Sequence, residues 1–185
     1  MGAYLLIVFA VLSRVIPHSW MNFTAVGGGL LYFGARRPLR EAIWPVLALM
    51  ATDVYLTIAF YHYPWHTSAY LITWAWYAAV IVLGRIILKD HITVSRVISA
   101  PVIASTSFFL ISNYAVWVMA SGPSPAAGSM HYAHTLAGLG ACYAAGLPFY
   151  RNDVLSTMLV TGLAFGLPIL AHRLAEQRAH SKLAA

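Results

Sequence analysis

The chain has 185 residues, 61% of them hydrophobic and 9% charged, and its eleven basic residues outnumber its five acidic ones. This leaves too few polar side chains to cover a soluble globule, so the composition predicts an integral membrane protein. The positive charge is spread without a dense patch, which argues against nucleic-acid binding, and a single Cys142 excludes an intramolecular disulfide and a cysteine-cluster metal site.

Apolar runs follow one another along the chain, and a spanning helix needs about 20 residues. The runs cover residues 3–16, 24–35, 42–61, 68–88, 97–120, 132–149 and 154–172. Run 24–35 is the weakest crossing, because a dozen residues rise only about 18 Å against a hydrocarbon core of about 30 Å. We predict one membrane domain over 1–172 and a basic cytoplasmic tail over 173–185.

The loop charges predict the topology. Basic residues are concentrated in 36–40, 85–96 and 173–182, whereas 62–67 and 121–134 contain neither Lys nor Arg. By the positive-inside rule the three basic segments are cytoplasmic and the other two are outside. Run 97–120 ends outside, and run 154–172 must end inside at the basic tail. Run 132–149, which lies between them, therefore cannot cross the membrane. The predicted fold is all-α, with six transmembrane helices, both termini cytoplasmic and run 132–149 as an outer lateral or re-entrant helix.

A polar, glycine-rich break over residues 14–29 separates the first two apolar runs. Pro17 disfavours helical geometry at Ile16. The polar and aromatic residues of the break that can hydrogen-bond or stack are Arg14, His18, Trp20 and Asn22. We interpret this break as a gate. An amphipathic loop at the membrane surface is the alternative, because interfaces also favour Arg and Trp.

Asp53 is an acidic residue inside an apolar run, where burying a carboxylate costs about 2.5–3.5 kcal/mol. Counting the helical rise places Asp53 about 12 Å and Asn113 about 10 Å from the outer ends of their helices. Arg14 lies near the outer end of the first run. These groups predict either the floor of a ligand pocket or a structural network in which Arg14 neutralises Asp53.

Histidines and aromatic residues are frequent on the predicted outer segments. His62 and His66 have a spacing that suits metal binding, but Pro64 interrupts their helix and no carboxylate or thiolate joins them, so we predict no metal site. The aromatic rings form either an interfacial belt or the walls of a pocket. The residues predicted to contact a ligand are Arg14, His18, Trp20, Asn22, Asp53, His62, His66, Asn113, Trp117, His131 and His134.

Longer stretches of the sequence carry a resemblance. They are RVIPHSWMNFTAVGG from Arg14, WPVLALMATD from Trp44, STSFFLISNYAVW from Ser105 and LAGLGACYAAGLPFYRND from Leu136. Together they resemble an uncharacterised family of bacterial integral-membrane proteins that is itself similar to the S components, the substrate-binding subunits of energy-coupling-factor vitamin transporters. The resemblance implies a six-helix fold in the bacterial inner membrane and a pocket that opens outward, and it leaves the ligand and any cofactor unknown.

We found no nucleophile elbow, phosphate-binding loop or paired carboxylates, so the chain is not expected to be an enzyme. We predict a membrane binding and uptake protein for a vitamin-sized small molecule, for which a cobalamin-type ligand fits the resemblance. S components commonly dock through small residues on the first helix, and here that helix is bulky. The protein then either acts alone or meets a coupling subunit through Gly162 and Gly166. The alternative is an accessory subunit of a larger membrane complex without its own ligand.

Overall fold

The computed structural model describes residues 1–16, 22–65, 67–119 and 132–183, except for the side chains of 68, 69 and 172–183. Over these ranges the chain contains helices and no strand, which confirms the predicted all-α class. A 3-10 turn, Leu39–Glu41, precedes α3, and a π-helical segment, Leu56–Phe60, extends it. The α-helices are α1 (Gly2–Val15), α2 (Val26–Arg36), α3 (Ile43–Tyr55), α4 (Thr67–Leu88), α5 (Val94–Met119) and α6 (Leu136–Leu183).

Helical segments long and apolar enough to cross a membrane are found at four places in the described chain. They are Leu39–Phe60, Tyr70–Leu88, Val94–Met119 and Leu136–Ala171, and α1 is a shorter apolar helix. On α6, large apolar side chains recur at every fourth residue and are exposed, at Leu155, Leu159, Leu163 and Leu167. A leucine stripe of this period faces lipid when the helix spans a bilayer. The prediction of a membrane protein is therefore supported.

The short helix α2 lies at the centre of the bundle. All its residues except Tyr32 and Arg36 are buried, and it packs against α1, α4, α5 and α6. Glycines permit this close packing, because a Cβ atom on Gly34 would lie 1.9 Å from the carbonyl oxygen of Ile81 on α4. Since α2 is surrounded by protein, it does not need the length of a lipid-facing helix. α2 is not among the helical segments long enough to cross a membrane, so the crossing by run 24–35 stays a prediction.

The predicted lateral helix over 132–149, separate from a last spanning helix over 154–172, is wrong. Leu136–Leu183 is one continuous helix that includes Pro148, and it also continues past the predicted domain boundary at residue 172. Its first half lies antiparallel to α5, where the Tyr150 hydroxyl is 2.9 Å from Thr106 Oγ1. This contact packs the polar stretch, which is partly buried, against α5. The parity argument requires a single crossing between the loop after α5 and the basic tail, and one continuous helix is consistent with that requirement.

The start of α1 and the end of α2 meet at one end of the bundle. The Tyr4 hydroxyl donates to Glu41 at 2.5 Å, and Arg37 pairs with the same carboxylate at 2.6 Å. The hydrogen bond to Glu41 raises the pKa of Arg37. The guanidinium of Arg36 lies 5.3 Å from the ring centre of Phe165, so α6 reaches this end at Phe165 and continues beyond it. The first residue and the end of α6 therefore lie towards the same end of the bundle.

Candidate functional site

A first polar centre surrounds Asp53 on α3. Its Oδ1 accepts a hydrogen bond from Arg14 of α1 at 2.5 Å, and its Oδ2 accepts one from the Trp74 indole at 2.9 Å. The Tyr77 hydroxyl lies 3.2 Å from Oδ2, and it also accepts from Arg14 at 3.2 Å. The predicted pairing of Arg14 with Asp53 is thus confirmed. The carboxylate is 2% exposed and has a partner on each oxygen, which favours the structural network for these two residues.

Aromatic residues cover the Asp53 centre. The Trp65 ring stacks on Tyr70 with the ring centres 4.5 Å apart, and the Trp74 ring lies 6.1 Å from both. The Tyr70 hydroxyl is 2.5 Å from Thr57 Oγ1 in the π-helical segment that follows Asp53. These stacked rings and the Thr57–Tyr70 hydrogen bond connect α4 with the π-helical segment next to Asp53. The centre fastens α1, α3 and α4 together.

A second polar centre lies between α5 and α6, and the sequence analysis did not predict it. It is a cleft with a volume of about 160 Å³. Aromatic rings and polar side chains share its lining, which consists of Asn22, Ser105, Phe108, Phe109, Ser112, Asn113, Gly146, Phe149, Tyr150 and Asp153. Among the residues that the structure describes, the lining contains no Lys, Arg or His, and Asp153 is its one carboxylate.

Asp153 is the least satisfied carboxylate in the described part of the chain. It faces the Ser105 hydroxyl, yet neither Asp153 Oδ2 nor Ser105 Oγ has a hydrogen-bond partner among the described residues, and both atoms are buried. Arg14–Asp53, Arg37–Glu41 and Lys89–Asp90 are the ion pairs in these ranges, so Asp153 takes part in none. Buried polar atoms in native proteins are normally hydrogen-bonded, and an orphaned one points to a missing ligand, ion or water.

The unpartnered polar atoms continue along α6. Thr157 and Thr161 follow Asp153 at intervals of four residues, and both hydroxyl oxygens are buried without a partner in the described chain. Gly27 of α2 packs on Thr157, since a Cβ atom on this glycine would lie 2.4 Å from Thr157 Oγ1. Ser105 is 11 residues from the start of α5 and 14 from its end, so the rise of a helix places Asp153 about 17 Å from one end and about 21 Å from the other. Asp153 therefore lies near mid-depth of the bundle.

Two of the predicted ligand contacts, Asn22 and Asn113, do line the same cleft. Asn22 has a φ of 57°, a left-handed conformation that asparagine adopts more readily than most residues. The Asn113 amide donates to the Phe109 carbonyl at 2.8 Å. A Cβ atom on Gly146 would lie 2.6 Å from Asn113 Oδ1, so the glycine leaves room for this amide.

The other predicted contacts that the structure describes lie elsewhere. His134 and Trp117 tie the adjoining ends of α5 and α6, with the Trp117 indole donating to the Ala133 carbonyl at 2.9 Å and the two rings 4.8 Å apart. His62 is exposed and has a φ of 55°. Four predicted residues lie outside the described ranges, namely His18, Trp20, His66 and His131. The predicted contacts that the structure describes thus lie at separate places, and a pocket that joins all the predicted residues stays a prediction.

The sequence contained a pattern that could have identified Asp153 as a site residue. It stands between two apolar runs in Tyr150-Arg151-Asn152-Asp153, which we interpreted as a boundary. However, Asp153, Thr157 and Thr161 recur at every fourth residue, the spacing of one helical face. Recognising this polar stripe across the boundary would have identified both the continuous helix and its buried carboxylate.

Comparison with known proteins gives a family. A family model described as a family of unknown function, DUF6580, matches residues 1–180. No curated protein and no solved structure matches the chain. The match extends over α1 to α5 and nearly all of α6, so it includes both polar centres.

Proposed function

We propose that this chain, which belongs to the family of unknown function DUF6580, is a non-enzymatic membrane protein of the S-component type that binds a small molecule and takes it up. The observation that carries the proposal is the cleft between α5 and α6. It combines aromatic walls with a few polar groups, and one of these is a buried carboxyl oxygen without a partner in the described chain. Small-molecule sites between the helices of bundles have this composition.

The size of the cleft restricts the ligand. Sites for drug-sized molecules measure about 300–1,000 Å³, and this cleft measures about 160 Å³. The described residues therefore suit one polar end of a vitamin-sized molecule, or a smaller solute as a whole. A cobalamin-type ligand is much larger than the cleft, so we do not propose one.

The proposal includes six crossings of the bacterial inner membrane, with both termini cytoplasmic. In a Cys142→Ala background, a cysteine introduced at Ser124 should react with an impermeant thiol reagent added to whole cells. One introduced at Ser181 should react only after the membrane is permeabilised, because the C-terminal basic residues stay inside. Labelling of intact and permeabilised cells measures both, and the reverse pattern would contradict this orientation.

A larger side chain that obstructs the cleft should prevent the small molecule from binding. Leucine in place of Gly146 would overlap the Asn113 side chain and displace this amide from its place in the cleft lining. We therefore expect the purified Gly146→Leu protein to lose about nine tenths or more of the small molecule that co-purifies with the wild type. Mass spectrometry of extracts from protein reconstituted in nanodiscs measures this loss.

Gly140→Leu is the matched control on the same helix. None of the described residues has an atom within 4 Å of a Cβ atom at Gly140, so the added side chain meets no neighbour. Its content of the co-purifying molecule should equal that of the wild type. Equal amounts in both variants, or no such molecule in the wild type, would contradict the proposed function.

A second candidate is an accessory subunit without a ligand, and the surface around Gly162 and Gly166 favours it. No atom of the described residues lies within 4 Å of a Cβ atom at either glycine, so the expected close contact does not form inside the described chain. Small residues four apart let another membrane helix approach closely. A wild-type protein that carries no small molecule but migrates with other membrane subunits in native gels would favour this candidate.

A further inference from the structure

We infer that the cleft between α5 and α6 binds an organic ammonium group, with Asp153 as its counter-charge. This inference rests on the proposed function and names the chemical class of its ligand. Three observations on the described residues carry it: the orphaned carboxyl oxygen, the absence of a positive side chain among those that line the cleft, and the aromatic walls.

The first step concerns charge. Carboxylates at membrane depth usually pair with a cation, and Asp53 does so with Arg14. Asp153 lies near mid-depth and forms no ion pair with any residue that the structure describes, and the cleft lining supplies no Lys, Arg or His. A positively charged ligand would provide the partner that the protein withholds. The contrast between the two aspartates assigns assembly to Asp53 and ligand binding to Asp153.

The second step concerns the walls. Rings of Phe108, Phe109, Phe149 and Tyr150 line the cleft beside the carboxylate. The faces of such rings attract cations, and quaternary ammonium groups are commonly held this way. Packing keeps these rings in place, since Phe109 lies 4.7 Å from Tyr150 and Phe108 lies 4.6 Å from Trp76 between ring centres. A site whose walls are already ordered loses little entropy when the ligand arrives.

The third step separates an organic cation from a metal ion. Hard cations such as Ca²⁺ and Mg²⁺ prefer six or more oxygen ligands, and the described residues contain no group of three His, Cys, Asp or Glu side chains that could hold a metal. The cleft instead offers one carboxylate, a few hydroxyl and amide groups, and aromatic carbon. The amides of Asn22 and Asn113 would orient the polar substituents of the ligand. This donor set suits a charged nitrogen that carries carbon groups.

The test uses the full chain in nanodiscs at constant ionic strength. The probes are choline and butylammonium, and 3,3-dimethylbutan-1-ol is the uncharged counterpart of choline with the same shape. Isothermal titration of the wild type should give saturable binding of at least one ammonium probe and much weaker binding of the alcohol. Asp153→Asn should weaken that binding at least tenfold, because it keeps the shape of the side chain and removes the charge.

Asp90→Asn is the control, since Asp90 is 72% exposed in the loop between α4 and α5, does not line the cleft, and should leave the affinity unchanged. Asp153→Glu should retain part of the affinity, which distinguishes loss of charge from misfolding. Equal binding of choline and the alcohol, unchanged affinity in Asp153→Asn, or no saturable binding of either ammonium probe would overturn the inference. In each of these cases the proposed function would still hold, with an uncharged ligand, if a co-purifying molecule is lost from Gly146→Leu and retained by Gly140→Leu.

Discussion

Replacing Gly34 with alanine is expected to destabilise the bundle by more than about 3 kcal/mol, the upper end of the usual cost of overpacking. The added Cβ atom would lie 1.9 Å from the Ile81 carbonyl oxygen and 2.7 Å from its carbonyl carbon. Both are backbone atoms of α4 and cannot rotate away, so α2 must separate from α4. Gly84 occupies the reciprocal position, with a Cβ atom 2.2 Å from the Leu31 carbonyl oxygen. Denaturant titration of the purified protein in detergent measures the loss.

Gly166→Ala is the matched control for this prediction. A Cβ atom there has no atom of the described residues within 4 Å, and surface substitutions away from such contacts usually stay within about 0.5 kcal/mol. The higher helix propensity of alanine would add a small gain in stability. If Gly34→Ala unfolds at the same denaturant concentration as Gly166→Ala, the close crossing of α2 and α4 is wrong.

Much of the fold was accessible from composition and helical rise. The long apolar runs predict membrane helices, because few other structures satisfy backbone hydrogen bonds in lipid. The depths of Arg14 and Asp53 were also predictable, since both can be counted from helix ends. Their pairing followed from the cost of an isolated charge, and the structure contains that ion pair. The glycines of the predicted break lie in α2, where Gly27 packs on Thr157.

The continuous helix α6 was harder to predict, because the stretch at Tyr150 to Asp153 looks like a polar break in local composition. Its helical state depends on partners distant in sequence. The Tyr150 hydroxyl is hydrogen-bonded to Thr106 Oγ1, and Ser105 faces Asp153. A segment that would be solvated in isolation is thus partly buried by its contacts with α5. Run lengths alone do not distinguish this arrangement from two helices.

The predicted site was incomplete for a related reason. Helical rise gives the depth of a residue but not the direction in which it faces around the bundle. Asp53 and Asn113 have similar depths, yet Asp53 contacts α1 and α4 whereas Asn113 lies in the cleft between α5 and α6. Asp153 was overlooked because the supposed boundary placed it outside the membrane helices. The direction of each face becomes known only once the neighbours of its helix are known.

Replacing Asp53 with asparagine is expected to cost about 2–4 kcal/mol in the free energy of unfolding. Removing one partner of a buried ion pair typically costs about 3–5 kcal/mol, and the range here is lower because the Arg14 side chain is 19% exposed. The change leaves the guanidinium without its counter-charge, and the Trp74 indole and Tyr77 hydroxyl lose a charged acceptor. Denaturant titration of the reconstituted protein measures the cost.

A double-mutant cycle isolates the pairing from the other contacts of Asp53. In an Arg14→Gln background the same change should cost less, with a coupling energy of about 1–3 kcal/mol, because no stranded cation remains. Lys89 and Asp90 provide the comparison, since their side chains are 44% and 72% exposed and 3.7 Å apart. Exposed pairs of this kind contribute about 0–1 kcal/mol. A coupling between Arg14 and Asp53 no larger than that between Lys89 and Asp90 would show that the buried pair does not hold α1 to α3.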